Sequence, residues 1–143
     1  MANFPPDTTG NSPFTTTIRF PSAPVATAGN DLDTPACIAP HSGTITSVNY
    51  ITPSALTGAN TNSRTVSVLN KTQSLTPATL AFTSGVSTVA FTAKNITLGN
   101  AANVAVIAGD VLDWNSLHVG TGLADPGGLV EITITRSATE GVV

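Results

Sequence analysis

The chain has 143 residues, 41% of them hydrophobic and only 9% charged, with a formal net charge of −3. That length suits one domain with its own core, and the hydrophobic content excludes the profile of a disordered chain. The five Lys and Arg are scattered, which excludes the basic patch a phosphate backbone needs, so no nucleic-acid partner is expected.

Residues 1–35 hold six of the ten prolines: Pro5, Pro6, Pro13, Pro21, Pro24 and Pro35. Proline breaks helices and interrupts long strands, so this stretch is expected to be an extended N-terminal arm, with residues 15–20 compatible with one short strand. Three of the five phenylalanines lie in it. Free tails are poor in aromatics, so Phe4, Phe14, Ile18 and Phe20 read as spaced anchors that dock the arm on a neighbouring subunit. On this reading, deleting residues 1–35 leaves the domain folded and weakens assembly.

From residue 36 the pattern is short strands divided by turns. Residues 36–39 are a brief apolar run ended by Pro40 and Gly43. Residues 44–51 place Ile45 in one phase and Val48 and Tyr50 in the other, which predicts a bulge near Thr46 or Ser47. A polar loop at 53–62 precedes a strand at 64–70 with Val66 and Val68 on one side. Further strands are expected at 78–82, 89–91, 95–98 and 104–107. Residues 101–108 are the only helix-like window, and their Val and Ile content argues against a helix. From Gly109 a turn runs into an apolar strand through Trp114, and glycines punctuate a loop at 120–128. The chain closes on residues 129–136, where Val130, Ile132 and Ile134 alternate with Glu131, Thr133 and Thr135. Such alternation of β-branched residues marks a half-buried antiparallel strand. About eight strands at intervals of roughly 8–12 residues predict an all-β jelly roll or β-sandwich. The domain spans residues 36–136, followed by a short tail at 137–143.

Chemistry is sparse. The charge deficit is made up by Ser, Asn, Ala and 24 Thr, so the surface offers little electrostatic protection against association. Cys37 is the only cysteine and lies in an apolar run, which points to burial as a small hydrophobe. No internal disulfide is possible. His41 with Cys37, or His118 with Asp110 or Asp113, is too little for a cupin-type metal site, and no metal or cofactor is expected. Asp110 and Asp113 read as turn residues facing solvent rather than as a glycosidase pair. The serines lack a nucleophile-elbow pattern, and the glycines at 120–128 precede neither a lysine nor a helix. No enzyme is expected. Trp114, in phase with Leu112, reads as core. The N-terminus shows no signal peptide and no stretch reaches the roughly 20 apolar residues of a membrane span, so cytoplasmic synthesis and no membrane partner are expected. Asn70-Lys71-Thr72 and Asn95-Ile96-Thr97 then match the glycosylation pattern by chance.

The segments AGDVL at 108–112 and HVGTGLADPGGLV at 118–130, with PHSGTI at 40–45 and NSRTV at 62–66, resemble small jelly-roll proteins of tailed bacteriophages. The likeness covers residues 36–136 and leaves the arm unmatched. Such proteins look like head decoration, or cement, proteins, which sit as trimers on the outside of the capsid and brace its lattice. The resemblance implies a virion protein whose partners are the major capsid protein and its own copies as a homotrimer. It carries over no catalytic or ligand residue. Two alternatives stand beside it: a trimeric receptor- or carbohydrate-binding domain of a head or tail fibre, favoured by an exposed Trp114 or Tyr50, and a cupin-type enzyme.

Overall fold

In the computed structural model, which describes residues 13–136, the closing strand β9 (Gly128–Arg136) buries Val130, Ile132 and Ile134 completely. Their neighbours Leu129, Glu131, Thr133 and Thr135 stand on the other side. β9 is a central strand, antiparallel to β1 (Phe14–Ser22) on one flank and to β3 (Gly43–Ile51) on the other. Two short pieces, β6 (Lys94–Asn95) and β7 (Ala105–Val106), pair with β3 and complete this sheet.

The second sheet runs in the spatial order β2 (Leu32–Ile38), β8 (Val111–Val119), β4 (Ser63–Asn70) and β5 (Leu75–Ala81), again antiparallel. The first long strand therefore pairs with the last, the second with the last but one, and β4 with β5. A folded-back chain wound over two sheets in this way is the jelly-roll form of a β-sandwich, and neither sheet closes into a barrel. The inner faces meet over Ile45, Val48, Tyr50, Val66, Val68, Leu112 and Trp114, all essentially without solvent exposure. Trp114 packs against Tyr50 and Phe20 at ring-centroid distances of 5.2 and 6.4 Å, so it is core, as its phase with Leu112 predicts.

The expected bulge is present: the β3–β9 register shifts between Ile45 and Ser47, leaving Thr46 as the extra residue. The arm boundary differs. Residues 14–22 form a nine-residue strand and residues 32–38 a seven-residue strand of the sandwich itself, so the domain begins well before residue 36. The reason lies in where the prolines fall. Pro21, Pro35 and Pro77 sit in β1, β2 and β5, which are edge strands, and an edge strand spares the amide that proline lacks. Residues 1–12, including Phe4, and residues 137–143 lie outside the described residues.

Two smaller expectations also change. The helix-like window at 101–108 is split: α1 (Ala101–Val104) is a single turn capped by Asn100, whose side chain accepts from the Asn103 amide, and β7 follows at once. Residues 89–91 are a turn rather than a strand.

Candidate interaction surface

Of the four anchors expected in the N-terminal segment, three are described, and β1 assigns them different environments. Ile18 and Phe20 share the inward phase of β1. Phe20 is buried in the core and Ile18, partly buried, packs against it, so both contribute to the fold of this chain itself. Phe14 has the same phase but lies at the start of the strand, beyond the cover of the opposite sheet. It is 42% exposed, with the His41 ring 4.3 Å away and the Arg136 guanidinium 4.4 Å above its face.

The outer face of β1, β9 and β3 is a set of cross-strand rows. Thr15, Thr135 and Thr44 form one, and Thr17, Thr133 and Ser47 the next. The hydroxyls bond one another: Thr15 to Thr135 at 3.1 Å, Thr17 to Thr133 at 3.2 Å, and bulged Thr46 to Thr135 at 3.1 Å. A third row holds Arg19, Glu131 and Asn49, with Arg19 Nε donating to Glu131 Oε2 at 2.6 Å. The fourth is apolar: Pro21, Leu129 and Ile51. Hydroxyls that bond one another across strands, and a charge pair that cancels, leave a sheet face with less call on water than separate polar groups would have.

Next to the apolar row lies the most exposed large hydrophobe among the described residues. The Phe91 amide donates to Thr52, one residue past Ile51, at 2.8 Å. The ring is 80% exposed and the residue has a φ of 56°, a left-handed conformation that bulky side chains avoid. Val89, two residues before, is also exposed. A strained backbone that presents an aromatic ring to solvent is a feature expected where that ring is used. Sequence reading missed Phe91 because the run Val89-Ala90-Phe91 has strand composition. A second exposed group, Ile38, Val111 and Ile107, lies at one end of the other sheet, where Ile38 pairs with Val111.

The loops at one end of the sandwich are fixed from inside by a buried polar network. Arg64, fully buried, donates through Nε to Leu123 O at 2.6 Å. Its Nη1 bonds the carbonyl and hydroxyl of Ser116, and its Nη2 bonds the carbonyls of Ala28 and Asn30. Asp125 accepts from Tyr50 Oη and from Ser116 Oγ, each at 2.5 Å, and from the Gly127 amide. Burial, with the Asp125 charge beside it, raises the Tyr50 hydroxyl above its ordinary range. Trp114 Nε1 donates to Ser22 Oγ at 2.9 Å. Every one of these groups is engaged with the protein, so the network fixes loop shape and has no face open to a substrate. At Gly122 the φ is 76° and an added Cβ would lie 2.0 Å from Ala28 O, so the loop closes on residue 28 only with glycine there.

The groups considered for chemistry are far from one another in role. Asp110, expected at the surface, is buried, and its Oδ2 accepts from the Ile107 amide, Asn70 and Gln73. Burial pushes its carboxyl upward, but these three bonds outweigh it and hold it below the usual range. Asp113, also expected at the surface, is buried on the outer side of β8. His118 bonds Asp31 at 2.8 Å, and the His118 amide with that contact lowers the Asp31 carboxyl. His41 bonds Thr16 Oγ1 at 3.0 Å. Cys37 is half-buried on β2, and desolvation pushes its thiol up to about 11. Among the described residues no three His, Cys, Asp or Glu side chains gather as metal ligands, and no helix is long and apolar enough to cross a membrane.

No family model matches the chain, and comparison with curated proteins and with solved structures gives no significant match.

Proposed function

We propose that this chain is a structural virion protein, a decoration or cement protein that binds the outside of a tailed-phage head as a homotrimer and braces the capsid lattice. The observation that carries the reading is the outer face of β1, β9 and β3. Its threonine hydroxyls bond one another across the strands, its Arg19–Glu131 pair cancels, and it ends in an apolar row beside the strained, exposed Phe91. Such a face has little desolvation cost when another subunit covers it. The jelly roll agrees with the resemblance in the segments at 40–45, 62–66, 108–112 and 118–130, although a fold by itself does not assign a task.

The fibre-domain alternative asked for Trp114 or Tyr50 in a groove, and both side chains lie in the core. Sugar stacking would then fall to Phe14 or Phe91. The deciding experiment is titration of the purified chain onto capsids stripped of it, with bound copies counted by cryo-electron microscopy. Saturable density in threes on the shell is the expected result. A chain that stays monomeric at micromolar concentration and leaves no density on the shell removes the reading, and glycan binding in that case would favour the fibre domain.

A further inference from the structure

The outer face of the second sheet holds two buried oxygens without a hydrogen-bond partner, Asp113 Oδ2 and Asn115 Oδ1. Asp113 is 3% and Asn115 6% exposed. Asn115 stands directly across from Asp33 in the β2–β8 register, and Asp113 is two residues along β8, opposite Pro35. Strand parity therefore puts Asp33, Asp113 and Asn115 side by side on one face. Lys71, just past β4, approaches this group with Nζ 3.8 Å from Asp33 Oδ2 and 3.7 Å from Asp113 Oδ2. Both distances exceed the roughly 2.7–3.2 Å of a hydrogen bond. Two carboxylates against one loosely placed ammonium leave a residual negative charge, and one of those carboxylates is almost out of water.

We propose that Asp33, Asp113 and Asn115 bind a hard divalent cation of calcium's size, which clamps edge strand β2 to β8. Two carboxylates and an amide carbonyl are an all-oxygen donor set of the kind such ions take. Calcium fits better than magnesium because it accepts irregular geometry and completes its shell with water, which reaches the site past the half-exposed Asp33. A charge of +2 cancels both carboxylates where one ammonium does not. Lys71 has room to leave: it is half-exposed, its stem is flexible, and it lines an open hollow of about 260 Å3 with Leu69, Ser74 and Leu75. This inference stands apart from the capsid reading and is tested without capsids.

The test is calorimetric titration of calcium chloride into the full chain freed of metal with a chelator, followed by thermal unfolding in calcium chloride and in sodium chloride of equal ionic strength. One saturable site per chain is expected, with a rise in Tm in calcium alone. Asp113→Asn should weaken binding about tenfold or more, since a ligating charge is lost. Lys71→Met should tighten it, since the competing ammonium is gone. If Asp113→Asn disturbs the fold, Asp33→Asn at the more open position decides the same point. No saturable heat with the natural chain, affinity undiminished in the aspartate variants, or equal stabilisation by sodium chloride would each overturn the proposal.

Discussion

Arg64 shows how much a single side chain fixes here. Its guanidinium reaches four backbone carbonyls and one hydroxyl, drawn from three separate stretches at 28–30, 116 and 123. Arg64→Met keeps most of the volume but leaves these acceptors buried and unpartnered. A loss of about 3–5 kcal/mol is expected from chemical denaturation. Asp113 is the opposite case, a residue whose charge is a cost to the fold when no cation offsets it. With its folded pKa near 6 and an ordinary value of 3.8, the native state holds the proton more tightly than the unfolded chain. Its contribution therefore favours folding at low pH and fades as pH rises from about 4 through 6. In calcium-free buffer, Asp113→Asn should raise stability above pH 7 by about 1–2 kcal/mol, and the gain should vanish near pH 4. Tm measured against pH for both chains checks the sign.

At the scale of elements, the edge strands govern what can be removed. β1 supplies Phe20 and Ser22 to the core, and Ser22 receives the Trp114 indole hydrogen. β2 covers one flank of β8. Deleting residues 1–35 therefore removes β1 and the first four residues of β2 and should abolish cooperative unfolding, whereas deleting residues 1–12 leaves every described strand whole and should leave the thermal transition in place. Circular dichroism melts of the two truncations separate these outcomes. A truncation at 35 that still melts cooperatively would mean that the sandwich closes without β1 and most of β2. Residues 14–22 and 32–38 depart from the expected arm for a physical reason: an edge strand has one unpaired side on which a missing amide costs little, so proline density does not bar a strand there.

For the molecule as a whole, the surface is short of charge, and the exposed hydrophobes gather at recognisable places. If the face ending at Phe91 is an assembly surface, Phe91→Ser should leave Tm nearly unchanged, because the ring packs on nothing it must hold, and should weaken trimer formation or capsid binding about tenfold or more. Sedimentation and the capsid titration measure this directly. A variant that assembles as well as the natural chain would move the interface elsewhere, with the Ile38, Ile107 and Val111 group as the next surface to vary.

The period-two pattern of residues 129–136, the phase slip at Thr46 and the glycine-punctuated loop at 120–128 were legible in the sequence because each is local. Side-chain alternation and positive φ depend on neighbours a few residues away. From them came the fold class, the strand rhythm and the place of Trp114 in the core. Which strands became edges, and so which prolines were harmless, depended on pairing between residues more than a hundred positions apart, as between β1 and β9. The same holds for Asp110 and Asp113: as turn aspartates they read as solvent-facing, and only packing of Gln73, Ile107 and Lys71 around them put both out of water. Phe91 was hidden for the converse reason. Its composition says strand, and a tertiary hydrogen bond to Thr52 holds it instead in a left-handed turn with its ring in solvent. The sequence by itself determined what each segment was able to be, while the juxtaposition of distant segments determined which polar groups were buried and which apolar ones were left outside.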